Sequence, residues 1–126
     1  MAYTNTILLV EDDVFLSDIY QEALTKAGFT VERAFDGEEA LQKMSAVKPD
    51  LVLLDLIIPL KDGFIVLEEI KNNPDIQHTP VIICSNLGQD ADVKKCKDMG
   101  AAEYVIKSDV PLREIVALVK KTLHVN

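Results

Sequence analysis

Unbroken apolar runs too short to be helices constrain this 126-residue chain most. In one of them Leu51, Val52, Leu53 and Leu54 follow each other without alternation. A lone carboxylate, Asp55, comes next, then Leu56-Ile57-Ile58 and the turn residues Pro59 and Asp62-Gly63. A continuous apolar run closed by turn residues fits a strand buried on both faces, the kind that fills a parallel sheet. Ile7 to Val10 is a second such run, ending in Glu11-Asp12-Asp13. Pro80 to Cys84 is another, ending in Ser85-Asn86, and its proline suits the first strand position, where no ladder donor is lost.

The other segments complete an alternation. Phe29 to Ala34 alternates more and reads as a strand nearer the sheet edge, and Glu103 to Ile106 is a short last strand ending at Lys107. Leu16, Ile19, Tyr20, Ala23, Leu24 and Ala27 share one face of a 3.6-residue period, with Asp13 as N-cap and Gly28 as the stop. Asp36-Gly37 turns the chain into a second helix, Glu38 to Val47, with Leu41 and Met44 inward and Pro49 closing it. Phe64, Leu67 and Ile70 line a third helix, ended by Asn72-Asn73-Pro74. Gln89 to Met99 reads as a polar fourth helix ended by Gly100, weakly held and free to move. The last helix has Pro111 in its first turn and Leu112, Ile115, Val116, Val119 and Leu123 inward. Five strand–helix alternations with short connections predict an α/β fold: a doubly wound, three-layer sandwich around a parallel five-stranded sheet. The length suits a single domain over residues 1–126, and no repeat or linker interrupts it. Of the common strand orders, 2-1-3-4-5 suits five strands and puts the switch point between the first and third.

That order brings Glu11-Asp12 and Asp55 to one crevice at the carboxyl edge of the sheet. Taken singly, Glu11 and Asp12 read as solvated loop acids, Ser85 as a turn residue, and Lys107 as a surface lysine with a buried stem. Taken together, all lie at the carboxyl ends of predicted parallel strands. Three converging carboxylates repel unless a cation sits among them, and oxygen-only ligands suit Mg²⁺ or Mn²⁺ better than zinc. A carboxylate nucleophile, a hard-metal site, a hydroxyl and an ammonium are the groups that phosphoryl transfer to an aspartate uses.

Composition agrees. Hydrophobic residues make up 48% and charged residues 27%, ordinary for a globular chain, and no apolar run is long enough to span a bilayer. Met1 to Thr6 lacks the basic and apolar regions of a signal peptide. The formal net charge of −8 disfavours nonspecific contact with nucleic acid or an anionic membrane. Cys84 and Cys96 match no metal or redox spacing and demand no disulfide, so the expected compartment is cytoplasmic.

From about Thr6 to Leu123 the chain resembles the receiver domains of two-component response regulators, the CheY-like family. The stretches that carry the resemblance are ILLVEDD, DLIIPLKDG, VIICSN and GAAEYVIKSD. The resemblance implies a flavodoxin-like (βα)5 fold with the strand order above. It implies a signalling switch rather than an enzyme with an external product, catalysing only its own phosphorylation and dephosphorylation. It makes Asp55 the phosphoacceptor. Asp12 and Asp55 would bind Mg²⁺ directly with the main-chain carbonyl of Ile57, and Glu11 through metal-bound water. Ser85 takes the place of the switch hydroxyl, Lys107 that of the family's lysine, and Tyr104 that of the aromatic switch. The implied partners are a sensor histidine kinase or phosphotransfer protein, a downstream protein target reached through the face of the fourth helix, fifth strand and fifth helix, and a second copy in a phosphorylation-dependent homodimer. Direct contact with nucleic acid or membrane is not expected.

Three features depart from the family pattern. Lys107 is followed by Ser108 where proline is usual, so the bond between them is expected to be trans. Asn86 follows the switch hydroxyl where a small residue is common, placed either to narrow access to a phosphate or to offer it an amide. Ile57 and Leu87 occupy positions that tune dephosphorylation in the family, and neither can position a water, so slow phosphate loss is expected. Among competitors, a haloacid dehalogenase-type phosphatase needs a second aspartate where Ile57 stands. A flavin binder needs a first loop that welcomes phosphate, which Glu11-Asp12-Asp13 repels. A phosphorylation-independent binding module of the same fold is the remaining alternative. No output segment follows Asn126, so the chain reads as a stand-alone receiver or as part of a longer protein.

Overall fold

The computed structural model describes residues 5–126; the reading of the first four residues as lacking a signal peptide lies outside the described residues. Five strands alternate with five α-helices: β1 Thr6–Val10, α1 Val14–Lys26, β2 Thr30–Ala34, α2 Gly37–Val47, β3 Leu51–Leu54, α3 Gly63–Asn72, β4 Val81–Ser85, α4 Asp90–Asp98, β5 Glu103–Ile106 and α5 Leu112–Thr122. All neighbours pair in parallel, in the order β2-β1-β3-β4-β5. The register sets Val10 beside Leu54 and Ser85 beside Ile106, so the strands end nearly level at one edge.

The unbroken apolar runs are explained by helices on both faces. Strand side chains alternate between faces, so Ile7, Leu9, Leu51, Leu53, Ile82 and Cys84 pack with Tyr20 and Leu24 of α1 and Ile115 and Val119 of α5. Leu8, Val10, Val52, Leu54, Val81 and Ile83 pack on the other face with Met44 of α2, Val66, Leu67 and Ile70 of α3, and Cys96 of α4. β2 is the least buried strand and an edge, as its alternation foretells.

Three aspartates start the helices that follow β1, β2 and β3. Asp13 accepts from Leu16 N–H at 3.1 Å, Asp36 from Glu39 N–H at 2.7 Å, and Asp62 from Ile65 N–H at 3.0 Å. Glu39 also accepts from Phe35 N–H at 2.7 Å, closing the α2 entry from the other side. The Asp-Gly pairs at 36–37 and 62–63 are thus helix starts as well as turns. Their glycines are required by close approach: a Cβ on Gly37 would lie 1.9 Å from the Lys61 carbonyl oxygen, and one on Gly63 would lie 2.5 Å from that of Asp55. Gly63 therefore lets α3 begin directly against the backbone of the strand end that carries Asp55.

The structure corrects several details. Ile19, read as inward, is exposed, while Ser17 is buried and accepts from Arg33 Nη1 at 3.2 Å. β4 starts at Val81, with Pro80 just before it, and Pro111 caps α5 from outside the first turn. α4 spans only Asp90–Asp98 and buries Cys96 alone. A 3₁₀ turn at Lys107–Asp109, unmarked by any apolar pattern, separates β5 from α5. Among the described residues no helix is long and apolar enough to cross a membrane.

Candidate functional site

β1 and β3 are adjacent, so the residues just after them meet at the carboxyl edge. Glu11, Asp12 and Asp55 each bring a carboxylate oxygen within 4.8 Å of the others. Their surroundings differ. Glu11 and Asp55 are buried at 3% and 7% exposure, whereas Asp12 faces solvent. The reading of both Glu11 and Asp12 as solvated loop acids therefore fails for Glu11.

Lys107 makes that burial tolerable. Its ammonium donates to Glu11 Oε1 at 2.5 Å and to Asp55 Oδ2 at 2.8 Å, and its side chain is only 10% exposed. The remaining oxygens are also engaged: Glu11 Oε2 accepts from Asp13 N–H and Asp55 Oδ1 from Ile57 N–H, each at 3.1 Å. Desolvation pulls the Lys107 pKa down, but hydrogen bonds and charge from Asp55 and Glu11 outweigh it and hold the ammonium above its ordinary value. Burial pushes Glu11 up, against the lowering bonds from Lys107 and the Asp13 amide. With Asp12 counted, three carboxylates face one ammonium, a formal excess of two negative charges. An oxygen-only donor set with that excess fits a hard divalent cation.

The flanking strands supply the other predicted residues. Ser85, fully buried at the end of β4, accepts from Leu87 N–H at 3.4 Å. Tyr104 on β5 is half-buried among the α2–α3–α4 core residues, and its hydroxyl donates to the Leu87 carbonyl. Burial pushes that phenol up to about 12. Ile57 turns its side chain outward at 57% exposure, and its amide, just described, is bonded to Asp55. The Lys107–Ser108 peptide is trans, like every other peptide bond among the described residues. Asn86 Oδ1 accepts from Ser108 N–H at 2.9 Å. Sequence reasoning singled out Asn86 and Ser108 separately, and nothing in their spacing joined them.

Residues 7–120 match the profile of the response regulator receiver domain. The chain belongs to that family. It is 34% identical over 116 residues to the chemotaxis protein CheY of Thermotoga maritima, a match that covers 90% of this chain and 94% of that protein. It is 34% identical over 119 residues to the DNA-binding dual master transcriptional regulator RpaA of Synechocystis, covering 92% of this chain and 49% of the relative. The chain spans about half the length of the larger transcriptional regulators among its relatives, 44% and 58% of two of them. Among solved structures, the phosphorylated cyanobacterial phytochrome response regulator RcpA superposes with a TM-score of 0.82 at 33% identity, covering 95% of this chain and 91% of that one. Receiver domains of this family are signalling switches rather than conventional enzymes.

Proposed function

We propose that Asp55 of this receiver accepts a phosphoryl group from a phosphohistidine on a sensor kinase or phosphotransfer protein, and that residues 1–126 act as one response-regulatory domain. The observation that carries the reading is the buried Lys107 ammonium held between Asp55 and Glu11 beside the exposed Asp12. In the transfer, an Asp55 oxygen forms a bond to phosphorus while the phosphorus–nitrogen bond of phosphohistidine breaks, leaving its electron pair on the imidazole. Lys107 balances the oxygens that gain charge, and Ser85 supplies a hydroxyl from the neighbouring strand end. Asp12 and Asp55 would hold Mg²⁺ or Mn²⁺ together with the Ile57 carbonyl, and Glu11 through water. Such an ion would supply charge neutralisation at the phosphoryl oxygens.

A protein donor suits the rim. Val14 and Phe15 follow the β1 loop and Ile57 and Leu60 follow Asp55; all four are exposed, with Phe15 and Leu60 at 75%. Exposed apolar groups beside a charged cleft fit a protein contact better than a small-molecule pocket. The output follows from a population shift. Phosphate adds charge and acceptor oxygens at Asp55, drawing Ser85 and Lys107 toward it. Ser85 is joined to the loop after β4 through Leu87 N–H, and Tyr104 is bonded to the carbonyl of the same residue. The face formed by α4, β5 and α5 then presents a different surface to a downstream protein or a second copy. Free, buried Cys84 and Cys96 suit a receiver working in the reducing cytoplasm.

Amide NMR with beryllofluoride and Mg²⁺ tests the reading. The expected result is a Mg²⁺-dependent change at Ser85–Gln89 and Glu103–Lys107, abolished by Asp55→Ala. Silence at those amides would point instead to a binding module that works without phosphorylation.

A further inference from the structure

Two departures from the family pattern prove to be in contact, and together they form one device. β4 and β5 stop pairing at Ser85 and Ile106. Beyond that point the chain after β4 remains fastened along β5 at alternate residues. Tyr104 hydroxyl donates to the Leu87 carbonyl. Ile106 packs so close to Gly88 that a Cβ there would lie 2.6 Å from its Cδ1. Ser108 N–H donates to Asn86 Oδ1 at 2.9 Å. Tyr104 and Ile106 share one side of β5, and Ser108 joins them through its main chain from the 3₁₀ turn that follows.

The Asn86 bond has a specific task. Lys107–Asp109 is a 3₁₀ turn whose preceding residue, Ile106, offers no side-chain cap. The first amides of such a turn lack partners within it. Asn86 supplies the acceptor from a different loop, doing for Ser108 what an N-cap does within one segment. A proline at 108 would have no N–H to give, so the bond requires a residue other than proline there. The bonded residues are the immediate neighbours of Ser85 and Lys107.

We propose that Asn86 is a positioning residue for Lys107: by capping the turn through Ser108 N–H, it fixes the lysine's approach to Asp55 without the usual proline. The effect on phosphorylation rests on the function proposed above; the effect on Lys107 placement does not. In this arrangement the Asn86 carbonyl oxygen is turned to the β5 loop rather than standing across the entrance to Asp55.

The test uses Asn86→Ala, Asn86→Asp, Ser108→Pro and the Asn86→Ala/Ser108→Pro pair, all read by ¹⁵N NMR of the unphosphorylated protein. Asn86→Ala is expected to move the Ser108 amide upfield and speed its solvent exchange by about five- to tenfold, as loss of one net hydrogen bond does. It is also expected to broaden or shift the Lys107 ammonium signal while strand-core amides stay in place. Asn86→Asp retains the acceptor and should restore the Ser108 amide shift. Labelling of Asp55 by acetyl phosphate should slow several-fold in Asn86→Ala, in the maximal rate rather than in the donor concentration at half-maximal rate. In the Ser108→Pro background, Asn86→Ala should change nothing further. Unchanged Ser108 and Lys107 signals in Asn86→Ala, or full additivity of the two substitutions, would overturn the proposal. If wild-type protein takes no phosphoryl group, the function fails while the two NMR signals still decide the positioning claim.

Discussion

Lys107 is the residue on which the site turns, because its one charge serves two buried carboxylates. Replacing it by methionine removes a positive charge beside the acidic cluster. Lys107→Met should therefore bind Mg²⁺ more tightly, by about tenfold, since a like charge a few ångströms from a cation costs energy even at an effective dielectric near ~20. Isothermal titration would show it, and weaker Mg²⁺ binding would contradict the placement of the cation site. The same variant should label poorly with acetyl phosphate, separating ion binding from chemistry. Ile57 makes a second residue-level prediction. Its side chain is exposed and apolar, so it offers no hydrogen bond to a water attacking the proposed acyl phosphate. Ile57→Asn should speed phosphate loss several-fold in a decay assay; unchanged or slower decay would show that the side chain does not govern water access. Asp55, Ser85 and Lys107 were legible in the sequence because each ends an unbroken or short strand run. Ser17 was not, since a period of apolar residues gives no reason to bury a serine, and its partner Arg33 comes from β2. Ile19 fits the helical face yet lies at 38% exposure.

At the scale of elements, α4 is the weakest part of the sandwich. It buries one residue, Cys96, and its N-cap Gln89 makes no side-chain cap. Its amides should lose hydrogen-exchange protection well before those of α3, which buries Gly63, Val66, Leu67 and Ile70 and is capped by Asp62. Comparable protection in the two helices would remove α4 as the mobile partner of the switch. Removing the α3 cap with Asp62→Ala should cost about 1 kcal/mol in denaturant unfolding. Tyr104 and Ser85 both touch Leu87, through its carbonyl and its amide respectively. The double change Ser85→Ala with Tyr104→Ala should slow labelling of Asp55 without abolishing it, and the labelled protein should lack the amide shifts in α4; a full set of shifts would break the proposed link. The polar composition of residues 89–99 announced the weak helix. The 3₁₀ turn stayed hidden because its cap, Asn86, comes from another loop.

For the whole molecule, the unbroken strands and the two-sided core are one fact seen twice. Alternate side chains of each central strand enter opposite cores, so both must be apolar. That is why the three-layer α/β architecture and the 2-1-3-4-5 order could be anticipated, the order with help from the family resemblance. The same core encloses both cysteines. Burial is the leading cause that pushes Cys84 and Cys96 up to about 11. Native protein at pH 8 should therefore resist a thiol reagent that modifies both cysteines once the chain is unfolded; rapid native modification would mean that one face opens. What the sequence could not convey is how the carboxyl edge is wired, since Lys107 meets Glu11 across 96 positions of chain.

The central claim is that this edge carries an aspartate built to take a phosphoryl group. Intact mass after incubation with acetyl phosphate, with and without Mg²⁺, tests it most directly, wild type beside Asp55→Ala. The expected result is a Mg²⁺-dependent gain of one phosphoryl group in wild type and none in the variant. A gain that survives Asp55→Ala, or no gain together with no response to beryllofluoride and Mg²⁺, would contradict it.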